Sequence, residues 1–483
     1  MKRNGLSLML ILAMAFCTIK VKARDYNIVK FGAVGNGLVM NTISIQKAID
    51  KCAEDGGGRV IIPAGKFLTG SLHLRSGVGL YLNKGAILWG STNRNDYERE
   101  FFYALILARD QHHISIKGLG IIDGQGRELA ANVVQMWKQG LLKENKGTNR
   151  PDEKYRPGII DFEDCRDVQI SGIVLKDASC WVQTYRNCTD LKIDHIKVNS
   201  TAYWNNDGLD IVDCRNVSIS NCNINSADDG ICLKSEDSTL LCRNISIKKC
   251  RIRSSASALK FGTASYGGFQ DITVRNLYVY DTYRSAIALE CVDGGVLKNV
   301  FISRVKAVNT GNAIFLRLGK RNADKRAGRM ENVRISKLNA VIPNSKPDKG
   351  YKMEGPVDKE SYNTLPSSIV GLPGFLISNV SLNHINIHYQ GGLNKQVSRI
   401  NKSDINKVPE KAGNYPEFSM FGELPAWGFY LRHVNGITFN NIKLSCEKED
   451  YRPPFILDDV KEPVIKDLTV NGAKQNMDML PNK

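Results

Sequence analysis

Three carboxylates stand out by type and spacing. Asp207 lies in Asn206-Asp207-Gly208-Leu209-Asp210, and Asp228 and Asp229 lie in Ser226-Ala227-Asp228-Asp229-Gly230. Asp207 and Asp228 are 21 residues apart. If each repeat of the surrounding sequence is one turn of a solenoid, the three meet on neighbouring turns. Carboxylates placed side by side raise each other's pKa, so one can hold a proton near neutral pH while another stays ionised. A protonated carboxyl facing an ionised one is what hydrolysis of a glycosidic bond needs. Carboxylates carry those proton transfers themselves, so no cofactor and no metal are expected. His112, His113 and His195 show no metal-ligand spacing and read as structural.

The repeat that must position them is visible. A turn residue, usually Asp or Asn, precedes an apolar-x-apolar-x-x-apolar pattern at 165–173, 188–196, 214–222, 242–250, 269–277 and 297–305. The first apolar positions include Ile114, Val168, Leu191, Val217, Ile245, Ile272, Val300, Val333, Val380, Ile437 and Leu468. Five successive steps from Val168 are 23, 26, 28, 27 and 28 residues. Period-2 alternation implies strands. A period of that length with short strands and no intervening helix implies an all-β fold, a right-handed parallel β-helix. Ile45, Ala48, Ile49 and Cys52 form one face of a short helix after Thr42, a possible capping residue, and this helix would close the N-terminal end of the solenoid. Longer steps mark insertions at 115–167, 339–376 and 386–433, read as loops that wall a cleft. Residues 24–483 thus form one expected domain.

The chain has 483 residues and a formal net charge of +17. Lys2 and Arg3, the apolar run Leu6–Cys17 and Val21-Lys22-Ala23 read as a signal peptide over 1–23. Secretion or periplasmic export is therefore expected, with lipoprotein anchoring through Cys17 ranked second. No later apolar run reaches membrane-span length. No basic helix or zinc-finger spacing supports nucleic-acid binding, and export makes an acidic polysaccharide the favoured partner of a basic, monomeric chain. Cys165, Cys188, Cys214 and Cys242 share one repeat position, which stacked small apolar side chains explain without disulfides.

The motifs resemble glycoside hydrolase family 28, the polygalacturonase family. Phe31-Gly-Ala-Val-Gly-Asn-Gly37, Ile61-Ile-Pro63 and Ile122-Asp123-Gly124-Gln-Gly126 are placed as in that family, and the two aspartate motifs follow at its spacing. The resemblance implies an inverting glycoside hydrolase acting on pectic polysaccharide or its oligosaccharides. Asp228 would be the general acid, Asp207 and Asp229 would hold and deprotonate the water, and Asn206 would orient a carboxylate or a sugar hydroxyl. Asp210 reads equally as a structural hydrogen-bonding residue.

Two family motifs are altered. Ser257 stands where a histidine belongs, and Ala288 and Glu290 stand where an Arg-x-Lys pair grips a galacturonate. Lys260, Arg317, Lys320 and Arg321 are candidate replacement cations, Arg being suited to bidentate carboxylate binding. The alternative is a neutral sugar at that subsite, hydrogen-bonded by Glu290, as in relatives acting on rhamnogalacturonan. Trp181, Tyr203, Trp204 and Tyr266 are candidate stacking residues. Long loops favour exo action or branched substrates. The rival readings are a polysaccharide lyase on the same fold and a non-catalytic carbohydrate-binding β-helix.

Overall fold

The computed structural model describes residues 24–143, 151–324, 326–345, 347, 363–395, 400 and 402–475, without the side chains of 402–404. The expected leader over 1–23, with Cys17, lies outside the described residues. Among these residues, 31 strands hydrogen-bond into one continuous ladder. Strand pairing is parallel except where Glu98–Arg99 meets Tyr103–Arg109 and where Ala473–Gln475 closes the C-terminal end. The chain is a parallel β-helix, and no described helix is long and apolar enough to cross a membrane.

The repeat positions stack as the alternation requires. Ile114 pairs with Val168, then Leu191, Val217, Ile245, Ile272, Val300, Val333, Val380 and Ile437 follow in unbroken register. All are buried, and they form the spine of one core that runs the length of the solenoid. The last repeat departs from expectation. Pro463 pairs with Ile437, and Leu468 pairs with Ile442 instead, so the final turn is shifted by one strand segment.

The bends explain the Asp and Asn of each repeat. Asp167, Asp190, Asn216, Asn244, Asp271, Asn299 and Asn332 all have φ between 52° and 60°. Asp and Asn tolerate this left-handed geometry better than other non-glycine residues. Their side chains also join from turn to turn. Asn216 donates to Asp190 at 2.9 Å, Asn244 to Asn216 at 2.8 Å and Asn332 to Asn299 at 2.6 Å. The eleven described cysteines are free, and all but the half-buried Cys446 are buried. The Cys214 thiol donates to the Tyr185 carbonyl at 3.2 Å, a satisfied place in the core.

Helix α1 (Thr42–Glu54) buries Ile45, Ala48, Ile49 and Cys52 against the first turns. Its cap is Asn41, not Thr42, and the Asn41 side chain is engaged elsewhere, accepting from Val34 N–H at 2.6 Å. The insertion 115–167 is not simply loop. It holds the amphipathic helix α2 (Gly126–Lys138), whose Leu129, Ala130 and Val133 are buried. Strands also run into the two later insertions, through Ile342 and Gly391, and Ser367–Val370 is a further strand. A strand that continues its ladder keeps its backbone groups paired, which a loop at the same place would have to satisfy otherwise.

Replacing Asn244 by Val should lower stability by about 1–2 kcal/mol, the cost of placing a branched side chain in the left-handed region. Asn244→Gly should cost less, since glycine relieves that strain but loses the side-chain link. Denaturant midpoints of the two variants check the order.

Candidate active site

The catalytic-type motifs sit at the bends that lead into Leu209–Val212 and Ile231–Ser235. The bends stack as the strands do. Val182 N–H donates to Asp207 O at 2.9 Å, Gly208 N–H to Asp229 O at 2.8 Å and Gly230 N–H to Ser257 O at 2.8 Å. Glycine is needed in both motifs because the neighbouring turn is too close for a side chain. A Cβ on Gly208 would lie 2.5 Å from Ile224 Cγ2, and one on Gly230 would lie 2.4 Å from Ile252 Cγ2.

A row of buried serines fixes the bends from behind. Ser200, Ser226 and Ser254 stack in register. The Ser200 hydroxyl donates to Asn206 Oδ1 at 2.8 Å, and the hydroxyls of Ser226 and Ser254 donate to the Asp228 carbonyl at 2.9 and 2.5 Å. Asn206 is fully buried, and its amide donates to the carbonyls of Ala178 and Cys180 at 3.0 Å each. Its side chain holds the bend rather than reaching the cleft. Arg156 does similar work, donating to the carbonyls of Ser179 and Trp204 and to Asn205.

The three aspartates come together in unequal surroundings. Asp207 and Asp229 bring carboxylate oxygens within 4.8 Å of each other and of the Cys232 sulfur. Burial, then the charges of Asp207 and Asp229, push the Asp228 carboxyl up to about 7. Burial also works against an ionised Asp229, but Lys260, Arg284 and Lys234 outweigh it, helped by the Ser257 N–H, and hold it below the usual carboxylate range. Lys260 Nζ lies 3.0 Å from Asp229 Oδ2, and Ser257 N–H donates to Asp229 Oδ1 at 3.0 Å. Position 257 thus acts on Asp229 through its backbone, which needs no particular side chain.

Asp207 differs from Asp229. Lys234 Nζ donates to Asp207 Oδ2 at 3.0 Å and is ion-paired with Asp210 as well. Burial pushes Asp207 up to about 8 and Asp210 to about 6, against the pull of this one shared ammonium. The trio could not readily hold a divalent cation with Cys232. Each carboxylate of the cluster already faces an ammonium, and burial holds the Cys232 thiol far above its ordinary range. The cluster is better suited to a water that both Asp207 and Asp229 can bind.

The outward positions beyond Asp210 run Cys232, Lys260, Ala288 and Phe315 in one row. Ala288 and Phe315 are sealed under a second apolar core with Val408, Phe418, Phe421 and Leu424 from the last insertion. The position from which the resemblance would have a cation project thus lies beneath a loop. In the parallel row Glu290 pairs with Arg317. Glu290 is buried 4.0 Å from Lys260, and burial raises its carboxyl to about 8. Arg317 departs from its expected role. It is buried, and its guanidinium donates to the carbonyls of Gly371, Glu410 and Lys411 at 3.0, 2.6 and 3.1 Å. It anchors the loop instead of facing the cleft. Arg321 pairs with Asp293 at 2.8 Å, and Lys320 lies over the Phe375 ring.

Of the four aromatics, Trp181 lies at the centre, with Lys234 Nζ 4.0 Å from its ring. Tyr203 is buried under Arg156. His113 and His195 pair with Asp167 and Asp194 on exposed bends, away from the centre. Sequence reasoning missed Lys234, Arg284, Tyr415 and Glu417. Lys234 was signalled by the outward alternation Cys232-x-Lys234. Arg284, Tyr415 and Glu417 meet only through the fold.

Against this geometry stand the comparisons with known proteins. The profile described as glycosyl hydrolases family 28 matches residues 52–283. Over those residues, a little under half of the chain, it is similar to that family, as a divergent relative. A probable polygalacturonase of Vitis vinifera is 26% identical over 331 residues, 64% of this chain and 60% of its own length. An exo-poly-alpha-D-galacturonosidase of Dickeya chrysanthemi is 27% identical over 251 residues, 42% of this chain and 41% of its own. The chain spans about half the length of the curated relatives it matches. Among solved structures, a family 28 exopolygalacturonase of Yersinia enterocolitica superposes with a TM-score of 0.64 at 18% identity, covering 92% of this chain and 78% of that one. At that identity the likeness speaks for the fold alone.

Arg317→Ala should loosen the loop without unfolding the solenoid. Limited proteolysis should cut faster within 408–428 while the remaining digestion pattern is unchanged. Equal cleavage rates would show that Arg317 does not anchor it.

Proposed function

We propose that this chain is an inverting glycoside hydrolase acting on a pectic polysaccharide or an oligosaccharide derived from one. The observation that carries the reading is the unequal pair: Asp228 raised to about 7 beside Asp229 held ionised by Lys260. Asp228 gives its proton to the glycosidic oxygen as the carbon–oxygen bond breaks. A water held by Asp207 and Asp229 attacks the sugar carbon and yields its proton to Asp229. One water is consumed, and the two carboxyl groups exchange protonation states until solvent restores them.

A second reading concerns the sugar beside the scissile bond. Ala288 and Glu290 put no cation at the positions assigned to a uronate grip, and Glu290 stays neutral below about 8. This supports a neutral sugar there, hydrogen-bonded by Glu290, within an otherwise acidic polymer such as rhamnogalacturonan. The loop packed over Ala288 and Phe315 narrows the cleft on that side, which supports action near a chain end. The basic and apolar leader over 1–23 supports export, to be checked by whether the exported protein begins at Arg24.

Digestion of homogalacturonan, rhamnogalacturonan and their oligosaccharides, followed by product analysis, tests the substrate. New reducing ends from rhamnogalacturonan in preference to homogalacturonan are expected. An unsaturated product absorbing in the ultraviolet would mean a lyase and would overturn the reading. Asp228→Asn should lower kcat by roughly 10²–10⁴-fold with folding intact. Activity should decline above about pH 7 as Asp228 loses its proton, and decline again only in strong acid, where Asp229 gains one.

A further inference from the structure

Asp228 and Asp229 are consecutive in sequence and share one cleft and the same two cations, Lys260 and Arg284, yet a different one weighs most on each. Asp229 meets Lys260, 3.0 Å away. Asp228 meets the charge of Arg284, from the next turn but one. Both cations are met in turn by the loop 408–428. Lys260 Nζ donates to the Tyr415 hydroxyl at 3.0 Å, and Arg284 is ion-paired with Glu417. Tyr415 and Glu417 are two residues apart around Pro416. The Tyr415 ring stays 52% exposed while its hydroxyl is tucked against Lys260.

The two partners differ in charge. A tyrosine hydroxyl is neutral and leaves an ammonium its full field. A carboxylate cancels the guanidinium it holds. We propose that the loop 408–428 divides the two aspartates into acid and base: Glu417 cancels Arg284 so that Asp228 keeps its proton, and uncharged Tyr415 leaves Lys260 to hold Asp229 ionised. This rests on the acid and base roles proposed above. Tyr415, Glu417 and Arg284 are positioning residues that act through the aspartates.

The charged groups facing Asp228 are Asp207, Asp229, Asp210 and Glu417, which raise it, and Arg284 and Lys260, which lower it. Those facing Arg284 are the carboxyls of Glu417, Asp228, Asp229 and Glu290, with the neutral Tyr415 hydroxyl beside them. Glu417 is the one of these carboxyls that comes from the loop 408–428, and it is the one ion-paired with Arg284. The loop is held in place to do this. Its apolar residues fill the second core, Glu410 pairs with Arg432 at 2.7 Å, and Lys320 N–H donates to Ala412 O at 2.7 Å.

The test is a carboxyl ¹³C NMR titration of the full protein, with the Asp228 signal assigned by its loss in Asp228→Asn. In Glu417→Gln, which keeps shape but not charge, Asp228 should titrate lower by roughly half a unit or more. Arg284→Met should move it the opposite way, and Glu417→Asp should restore it toward the wild-type value. Tyr415→Phe should leave Asp228 in place. A variant that merely disturbed packing would not give opposite signs at Glu417 and Arg284. An Asp228 titration unchanged in both Glu417→Gln and Arg284→Met overturns the loop's role. The titration needs no substrate, so absence of turnover in the wild-type protein would overturn the hydrolase reading separately.

Discussion

Each turn of the solenoid hydrogen-bonds to the next in fixed register, and that register decides which side chains meet. Val182 N–H on Asp207 O and Gly208 N–H on Asp229 O carry the ladder through the very bends that hold the aspartates. A slip of one residue would turn every inward side chain outward. The apolar spine from Ile114 to Ile437 prevents the slip, since all its members would be exposed together. The cleft therefore inherits its geometry from the core beneath it. Serines behind the bends and glycines beside them translate that regularity into the close approach of Asp207 and Asp229.

Electrostatics then separates what geometry brings together. Two buried aspartates and a half-buried third in one cleft cannot all be ionised unless cations are supplied, because charge without a partner is costly away from water. The chain supplies them unevenly. Lys234 is shared by Asp207 and Asp210, Lys260 serves Asp229, and Arg284 is offset by Glu417. The result is that Asp207, Asp210 and Asp228 are raised while Asp229, of the four, is held below the usual range, which suits the proposed roles of Asp228 as acid and Asp229 as base. Where the family resemblance leads one to expect a histidine and a cationic pair, Ser257 gives its N–H to Asp229 and Ala288 lies under an insertion.

The fold was largely legible because its signals are local and repeated. The alternation around Val168, Leu191 and Val217, and the Asn or Asp at each bend, depend on one strand and one turn at a time. Helix α2 was missed although Leu129, Ala130 and Val133 recur at helical spacing, because it occurs once inside a repeat of strands and has no second copy to announce it. Pro463 was hidden because a later apolar triplet imitates the repeat. At the site, the three aspartates could be read from motif and spacing. The roles of Asn206 and Arg317 could not. Both are polar residues near a cleft, and only the direction of their hydrogen bonds shows that they serve the backbone. Glu417 lies 133 residues from Arg284, and no periodicity links them.

The most direct measurement of the central claim is the configuration of the first-formed product, followed by ¹H NMR before mutarotation. A protonated Asp228 and a water held between Asp207 and Asp229 require a single displacement, so the new anomeric centre should be inverted relative to the bond cleaved. A first product of retained configuration would mean that a carboxylate attacks the sugar itself, and would contradict the account.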